Sequence, residues 1–139
     1  MKVSLFLVLV MAASGFAQTA ETYRRNATEF ARQKSWDQAI ASYRKALELK
    51  PNDALTYYDL ALALKYKGEA KQAADEFQAA LRLKPKWADA EYGLGAAFYD
   101  LRDLPAAAKE LQSAVRLAPA NAAAHRLLGS IRRYGYHWV

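Results

Sequence analysis

Chemistry in a protein needs nucleophiles, bases, metal ligands or phosphate cradles, and this sequence holds few of them. Cysteine is absent from the 139 residues, which removes thiolate nucleophiles, thiolate metal sites and disulfides. The two imidazoles, His125 and His137, stand twelve residues apart, which is no helical ligand spacing; both read as ordinary surface or cap histidines. Asp75-Glu76 is an adjacent acidic pair, but neighbours on a helix do not face each other, so it reads as a solvated face. There is no glycine-rich phosphate loop, no His-Glu-x-x-His and no Gly-x-Ser-x-Gly. Asn26-Ala27-Thr28 matches a glycosylation sequon, yet it falls inside a helical pattern and reads as coincidence. The expectation is a non-enzymatic protein with no cofactor and no metal. What remains is a set of tyrosines and arginines that would act by contact, and their value depends on the elements that hold them.

The first element stands outside the fold. Lys2 supplies a positive start, the stretch from Val3 to Ala13 is apolar apart from Ser4, and small residues follow up to Ala17. Charged, then apolar, then small is the order of a secretory signal peptide, with cleavage expected after Ala17 and Gly15 and Ala17 as the small pair. The apolar run is short of the ~18 residues of a membrane span. The expectation is a signal peptide over 1–17 and a mature chain exported to the periplasm or secreted, with an uncleaved N-terminal anchor as the alternative. An exported small domain without cysteine is stabilised by packing alone.

The rest of the chain repeats every 34 residues. Pro51, Pro85 and Pro119 keep that spacing, as do Ala39, Ala73 and Ala107, and Ala46, Ala80 and Ala114. Leu49, Leu83 and Leu117 align as well, and Ala20, Ala54, Ala88 and Ala122 mark four equivalent starts. Each unit reads as two helices: Ala20 to Gln33 and Trp36 to Lys50, then Ala54 to Lys67 and Ala70 to Lys84, then Ala88 to Leu101 and Leu104 to Ala118. Thirty alanines fit helices in close approach. Gly68 stands where a left-handed cap is wanted. Asp103 is an expected N-cap, with Pro105 in the first turn, where its missing N–H costs nothing.

Period and residues together resemble the tetratricopeptide repeat, a 34-residue helix–turn–helix. Unit one offers Tyr23, Asn26-Ala27, Phe30, Ala39, Tyr43, Ala46 and Pro51. Unit two offers Tyr57, Leu60-Ala61, Leu64, Ala73, Phe77, Ala80 and Pro85. Unit three offers Glu91, Leu94-Gly95, Phe98, Ala107, Leu111, Ala114 and Pro119. Two positions depart from the pattern: Asn26 replaces Leu, and Glu91 replaces the first aromatic. The resemblance implies an all-α solenoid of three repeats, 20–53, 54–87 and 88–121, with a capping helix and tail over 122–139. Leu128 and Ile131 would pack that cap onto the third unit.

The resemblance further implies a concave groove lined by the first helix of each unit. The inward positions are Glu21, Arg24, Thr28 and Ala31 in unit one, and Leu55, Tyr58, Leu62 and Lys65 in unit two. Unit three gives Asp89, Tyr92, Ala96 and Tyr99, and the cap gives Arg126, Ser130 and Arg133. The candidate contact residues are Arg24, Thr28, Tyr58, Leu62, Lys65, Tyr92, Ala96, Tyr99, Arg126 and Arg133. A centre of tyrosines and apolar residues with basic ends suits a peptide or protein partner with apolar anchors, although Tyr58 and Tyr92 also suit packing. Some members of the family grip a carboxylate with Lys, Asn, Asn, Lys and Arg; the matching positions here are Arg24, Thr28, Asp59, Asp89 and Gly93, so that clamp is not expected. The formal charge of +6 permits anionic partners. A nucleic-acid-binding helical repeat of the pentatricopeptide kind is the alternative; the constant period of 34, the three units and the leader point away from it. The aromatic tail, with Tyr134, Tyr136 and Trp138, leaves oligomerisation open.

Overall fold

The structure, a computed structural model, describes residues 18–134. The expected leader, 1–17, and the last five residues, with Tyr136, His137 and Trp138, lie outside the described residues. Among the described residues there are seven helices and no strand: α1 (Ala20–Arg32), α2 (Trp36–Leu49), α3 (Ala54–Lys67), α4 (Ala70–Leu83), α5 (Ala88–Asp100), α6 (Leu104–Leu117) and α7 (Ala122–Arg133). Every helix starts at the residue read from the sequence.

Helix starts follow from capping chemistry. Side-chain oxygens of Thr19, Asp53, Asp103 and Asn121 accept from the backbone N–H three residues on, at 3.2, 3.4, 3.2 and 3.1 Å. Five helices end one residue earlier than expected. At Lys50, Lys84 and Ala118 the cause is the following proline: all three residues adopt nearly the same extended backbone, with φ of −138°, −136° and −137°.

The turns inside the helix pairs share a second device. Gly68 takes φ +97°, as its position suggested, and Lys34 and Arg102 take +59° and +63° at the equivalent points of the other two units. Left-handed backbone is nearly free for glycine and costs ordinary residues energy.

Consecutive helices pack as antiparallel neighbours along the chain. The first helices of the units also meet directly, α1 against α3 and α3 against α5, which brings the odd-numbered helices to the inner side of the curve. Small residues permit these approaches. Ala27 and Ala61 are fully buried. A Cβ at Gly95 would lie 2.7 Å from Leu111 Cγ and 3.3 Å from the Ala107 carbonyl oxygen, so α5 and α6 need glycine there. One cluster, around Phe77, Leu60 and Leu64, spans the first two units and takes in Leu94. The other joins Leu111 and Ala114 to Ala124, Leu128 and Ile131, and this is what seats α7 on α6.

Glu91 shows the effect of the departure in unit three. Its Oε2 is buried without a hydrogen-bond partner. Burial first, then the adjoining Glu110 carboxyl, pushes its pKa up to about 8, against the pull of Arg116 and Lys109. The equivalent residues, Tyr23 and Tyr57, bring no charge to that place.

Candidate functional site

The inner side of the array is built by α1, α3, α5 and α7, and the candidate residues divide among these helices as the repeat spacing requires. At one end, Arg24 and Thr28 line a cleft of about 360 Å³ together with Glu21, Arg25, Glu29 and Arg32, all from α1. At the other, Tyr92 from α5 faces Ala123, Arg126, Leu127, Gly129, Ser130 and Arg133 from α7 across a cleft of about 570 Å³. The structure therefore brings Tyr92, Arg126 and Arg133 to one place. Tyr58, Leu62 and Lys65 lie between the two clefts on α3.

Tyr58 is held by packing. Its ring meets Phe77 edge-on at 5.8 Å and Trp87 at 4.6 Å, and Lys84 stands over Trp87 at 4.6 Å. Burial raises the Tyr58 hydroxyl above its ordinary range. Leu62 also packs on the core while remaining partly open, and Lys65 leans over the Tyr66 ring at 5.5 Å. Ala96 is 6 % exposed, so it forms the floor of α5 and offers a ligand almost no surface; a methyl on an inward helix position sinks between neighbouring helices where a longer side chain would emerge. Tyr99 stays half-buried against the α7 cluster, and burial followed by the influence of the Tyr134 hydroxyl raises its own hydroxyl. The positive charges of Arg102 and Arg133 act on Tyr99 in the opposite sense.

In the α1 cleft, Arg24 and Arg32 are already paired within the chain, while Arg25 forms no ion pair with a described carboxylate. Arg24 donates to both Glu21 carboxylate oxygens, at 3.0 and 3.2 Å, and its Nη1 lies 3.8 Å from Asp59 Oδ2 on α3. Arg32 pairs with Glu29, whose other oxygen accepts from Gln33 Nε2 at 2.9 Å. The Thr28 hydroxyl donates to the Arg24 carbonyl at 3.0 Å and meets the Tyr43 hydroxyl at 3.2 Å. From the sequence Asp59 stands out only as a position of the carboxylate clamp, and its pairing with Arg24 is what groove spacing alone missed. It stands one position beyond the repeat equivalent of Arg24, so a cross-repeat pairing of i with i+35 would have exposed it. Burial pushes its pKa up to about 6; Arg24 works against that, and Asp53 adds to it. A guanidinium at 3.8 Å does not compensate for the water that Asp59 loses.

The α7 cleft is of opposite character. None of its lining residues is acidic, and α7 has no acidic residue along its length. Arg133 donates to the Ser130 hydroxyl at 2.9 Å, and Ser130 in turn donates to the Arg126 carbonyl at 3.2 Å. Arg126 is exposed and forms no ion pair with a described carboxylate. Among the described residues, no group of three or more His, Asp or Glu could hold a metal ion. No helix of the described residues is long and apolar enough to cross a membrane. His125 Nε2 donates to the Pro119 carbonyl oxygen, 2.8 Å away, as a cap histidine does.

Protein-family models for the TPR repeat match residues 28–68, and models for the tetratricopeptide repeat match 58–122 and 92–133. The chain belongs to the tetratricopeptide repeat family. Solved TPR domains share its architecture. The first TPR of Spaghetti (RPAP3), solved with the HSP90 peptide SRMEEVD, is 24% identical with a TM-score of 0.81, over 85% of this chain and 94% of its own. The Arabidopsis OM64 TPR domain is 23% identical with a TM-score of 0.81, over 84% and 96%. The second TPR domain of human RPAP3, solved with the HSP70 peptide SGPTIEEVD, is 21% identical with a TM-score of 0.78, over 81% and 94%. At these identities the likeness shows the fold. No curated protein matches the chain.

Proposed function

We propose that this TPR protein is an exported, non-enzymatic adaptor that holds a peptide or protein partner in its concave groove. The observation that carries the reading is the α5–α7 cleft, where Tyr92 and Leu127 offer apolar surface beside Arg126 and Arg133. A groove of partly open aromatic rings gives large contact area at low conformational cost. TPR domains of the same fold, solved with HSP90 and HSP70 peptides, support the peptide class of ligand. The apolar, small-residue leader read at 1–17 supports export.

The test of the groove is the double substitution Tyr92→Ala and Tyr99→Ala. It should reduce partner capture from a periplasmic extract while helicity, read by circular dichroism, stays intact. Unchanged capture sinks the groove reading. Export is tested separately, by fusing 1–17 to a phosphatase that is active only outside the cytoplasm; an inactive fusion overturns that part alone.

A further inference from the structure

The two ends of the groove differ in a way that sets the direction of a bound peptide. We propose that the groove seats a carboxylate-bearing end of its ligand at α7, on Arg126 and Arg133, and not at α1 on Arg24. The proposal rests on the groove reading above and adds polarity and chemistry to it.

At α1 the inward cation, Arg24, is already occupied, and Arg25 stands one position off the inward row. Glu21 takes two hydrogen bonds from Arg24, and Asp59 sits within 3.8 Å of it from the next repeat. An incoming carboxylate would have to displace an internal one and leave Asp59, only 22 % exposed, without its cation. At α7 nothing of the kind is present. Arg126 and Arg133 stand seven residues apart, two helical turns and roughly 10 Å of rise, so both point to one side of α7. The Ser130 hydroxyl lies between them and fixes Arg133. None of the three acids of the facing helix α5 lines the α7 cleft: Asp89 acts on the Tyr58 hydroxyl of α3, Glu91 adjoins Glu110 of α6, and Asp100 ends the helix exposed. The α7 cleft therefore combines two forked donors, one of them positioned by the Ser130 hydroxyl, with an apolar wall from Tyr92 and Leu127. That is a carboxylate site next to an apolar anchor site.

The probe is a panel of fluorescein-labelled nine-residue peptides with a Leu-Phe centre, read by anisotropy with the full chain. One carries Glu-Glu at its C-terminal end, one carries it at its N-terminal end, and one carries Gln-Gln at both. An acidic peptide should bind about tenfold more tightly than the neutral one, the size that two partly exposed charge-assisted bonds supply. Arg126→Gln with Arg133→Gln should abolish that advantage, with helicity unchanged, while Arg24→Gln should leave it within about threefold. A nitroxide on the acidic end should broaden amide resonances of α7 and leave those of α1 sharp. Equal binding of neutral and acidic peptides overturns the polarity and leaves the groove standing. Loss of the advantage in Arg24→Gln, or broadening at α1, reverses the direction and overturns the proposal. If no peptide of the panel binds, and Tyr92→Ala with Tyr99→Ala leaves native capture unchanged, the groove reading fails and the polarity falls with it.

Discussion

The α1 and α7 ends of the array are built on the same helix position of the same repeat, yet one is electrostatically closed and the other open. At α1, arginine and glutamate alternate at helical spacing, so Arg24 and Arg32 each find a carboxylate three residues back. A second contribution comes across the repeat from Asp59. At α7 the sequence offers arginines, serine and alanine with no acid. The difference teaches that a basic residue counts toward recognition only after the chain's own carboxylates have been subtracted. Two cationic ends in the sequence become one in the structure.

The largest way to break the comparison is to remove the seat of the open end. Ile131 is fully buried between α7 and α6, and with Leu128 and Ala124 it is what anchors the last helix. Ile131→Ala should cost about 2–4 kcal/mol, the range for emptying such a site. An end helix packs against one neighbour, so the loss should fall locally. Hydrogen exchange should accelerate in α7 and much less in α1–α4. Uniform acceleration along the chain would mean that the two ends are not independent.

The next effect concerns the closed end. Asp59 carries a pKa of about 6 in the folded chain against an ordinary 3.8. Folding therefore takes up a proton between those values, and the contribution of Asp59 to stability rises as pH falls through that window. At neutral pH its buried charge is a cost. Asp59→Asn should stabilise the chain by about 1–2 kcal/mol at pH 7, after allowance for partial solvent screening. It should also flatten the denaturation profile between pH 4 and 6. Arg24 keeps its two bonds to Glu21 in this variant, so it takes Glu21→Gln together with Asp59→Asn to free the cation, and an acidic peptide should then gain affinity at the α1 end. Glu91 behaves in the same sense over a wider window, from about 8 down to the ordinary 4.5. Glu91→Gln should stabilise by about 1 kcal/mol at pH 7.5 and remove the decline of stability between pH 6 and 8. Chemical denaturation across pH checks both.

Most of the fold was legible because a repeat states itself several times. Prolines, alanines and leucines at one period give seven helix starts without ambiguity, and Leu128 with Ile131 identifies the cap's buried stripe. The site was legible only as a set of directions. Spacing told which side of a helix Arg24 and Ala96 occupy. It could not tell that a methyl at Ala96 would sink below the surface, or that Asp59 would reach across to Arg24. Those outcomes depend on side-chain length and on the offset between neighbouring helices, which periodicity does not encode. The left-handed turns were legible only at Gly68. At Lys34 and Arg102 the same backbone is imposed on side chains that do not ask for it, because the helices on either side fix the turn.

That imposition yields the smallest effect, and one that bears on each end separately. Lys34 closes the turn after α1, and Arg102 closes the turn before α6. Glycine at φ near +60° is freed of the clash between Cβ and carbonyl, a gain of about 1 kcal/mol. It also carries more entropy in the unfolded chain, which returns part of that gain. Lys34→Gly and Arg102→Gly should each stabilise by a net 0.5 kcal/mol or so, seen as a small rise in thermal midpoint. Gly68→Ala, the converse change, should destabilise by about 1 kcal/mol although nothing lies within 4 Å of the added methyl, since the strain is in the backbone. The two ends should respond alike in stability. In binding they should part: Lys34→Gly should leave an acidic peptide unaffected, whereas Arg102→Gly removes a cation whose field reaches Tyr99 and should weaken it slightly. Equal loss in both variants would show that the positive field is spread over the whole groove and does not gather at α7.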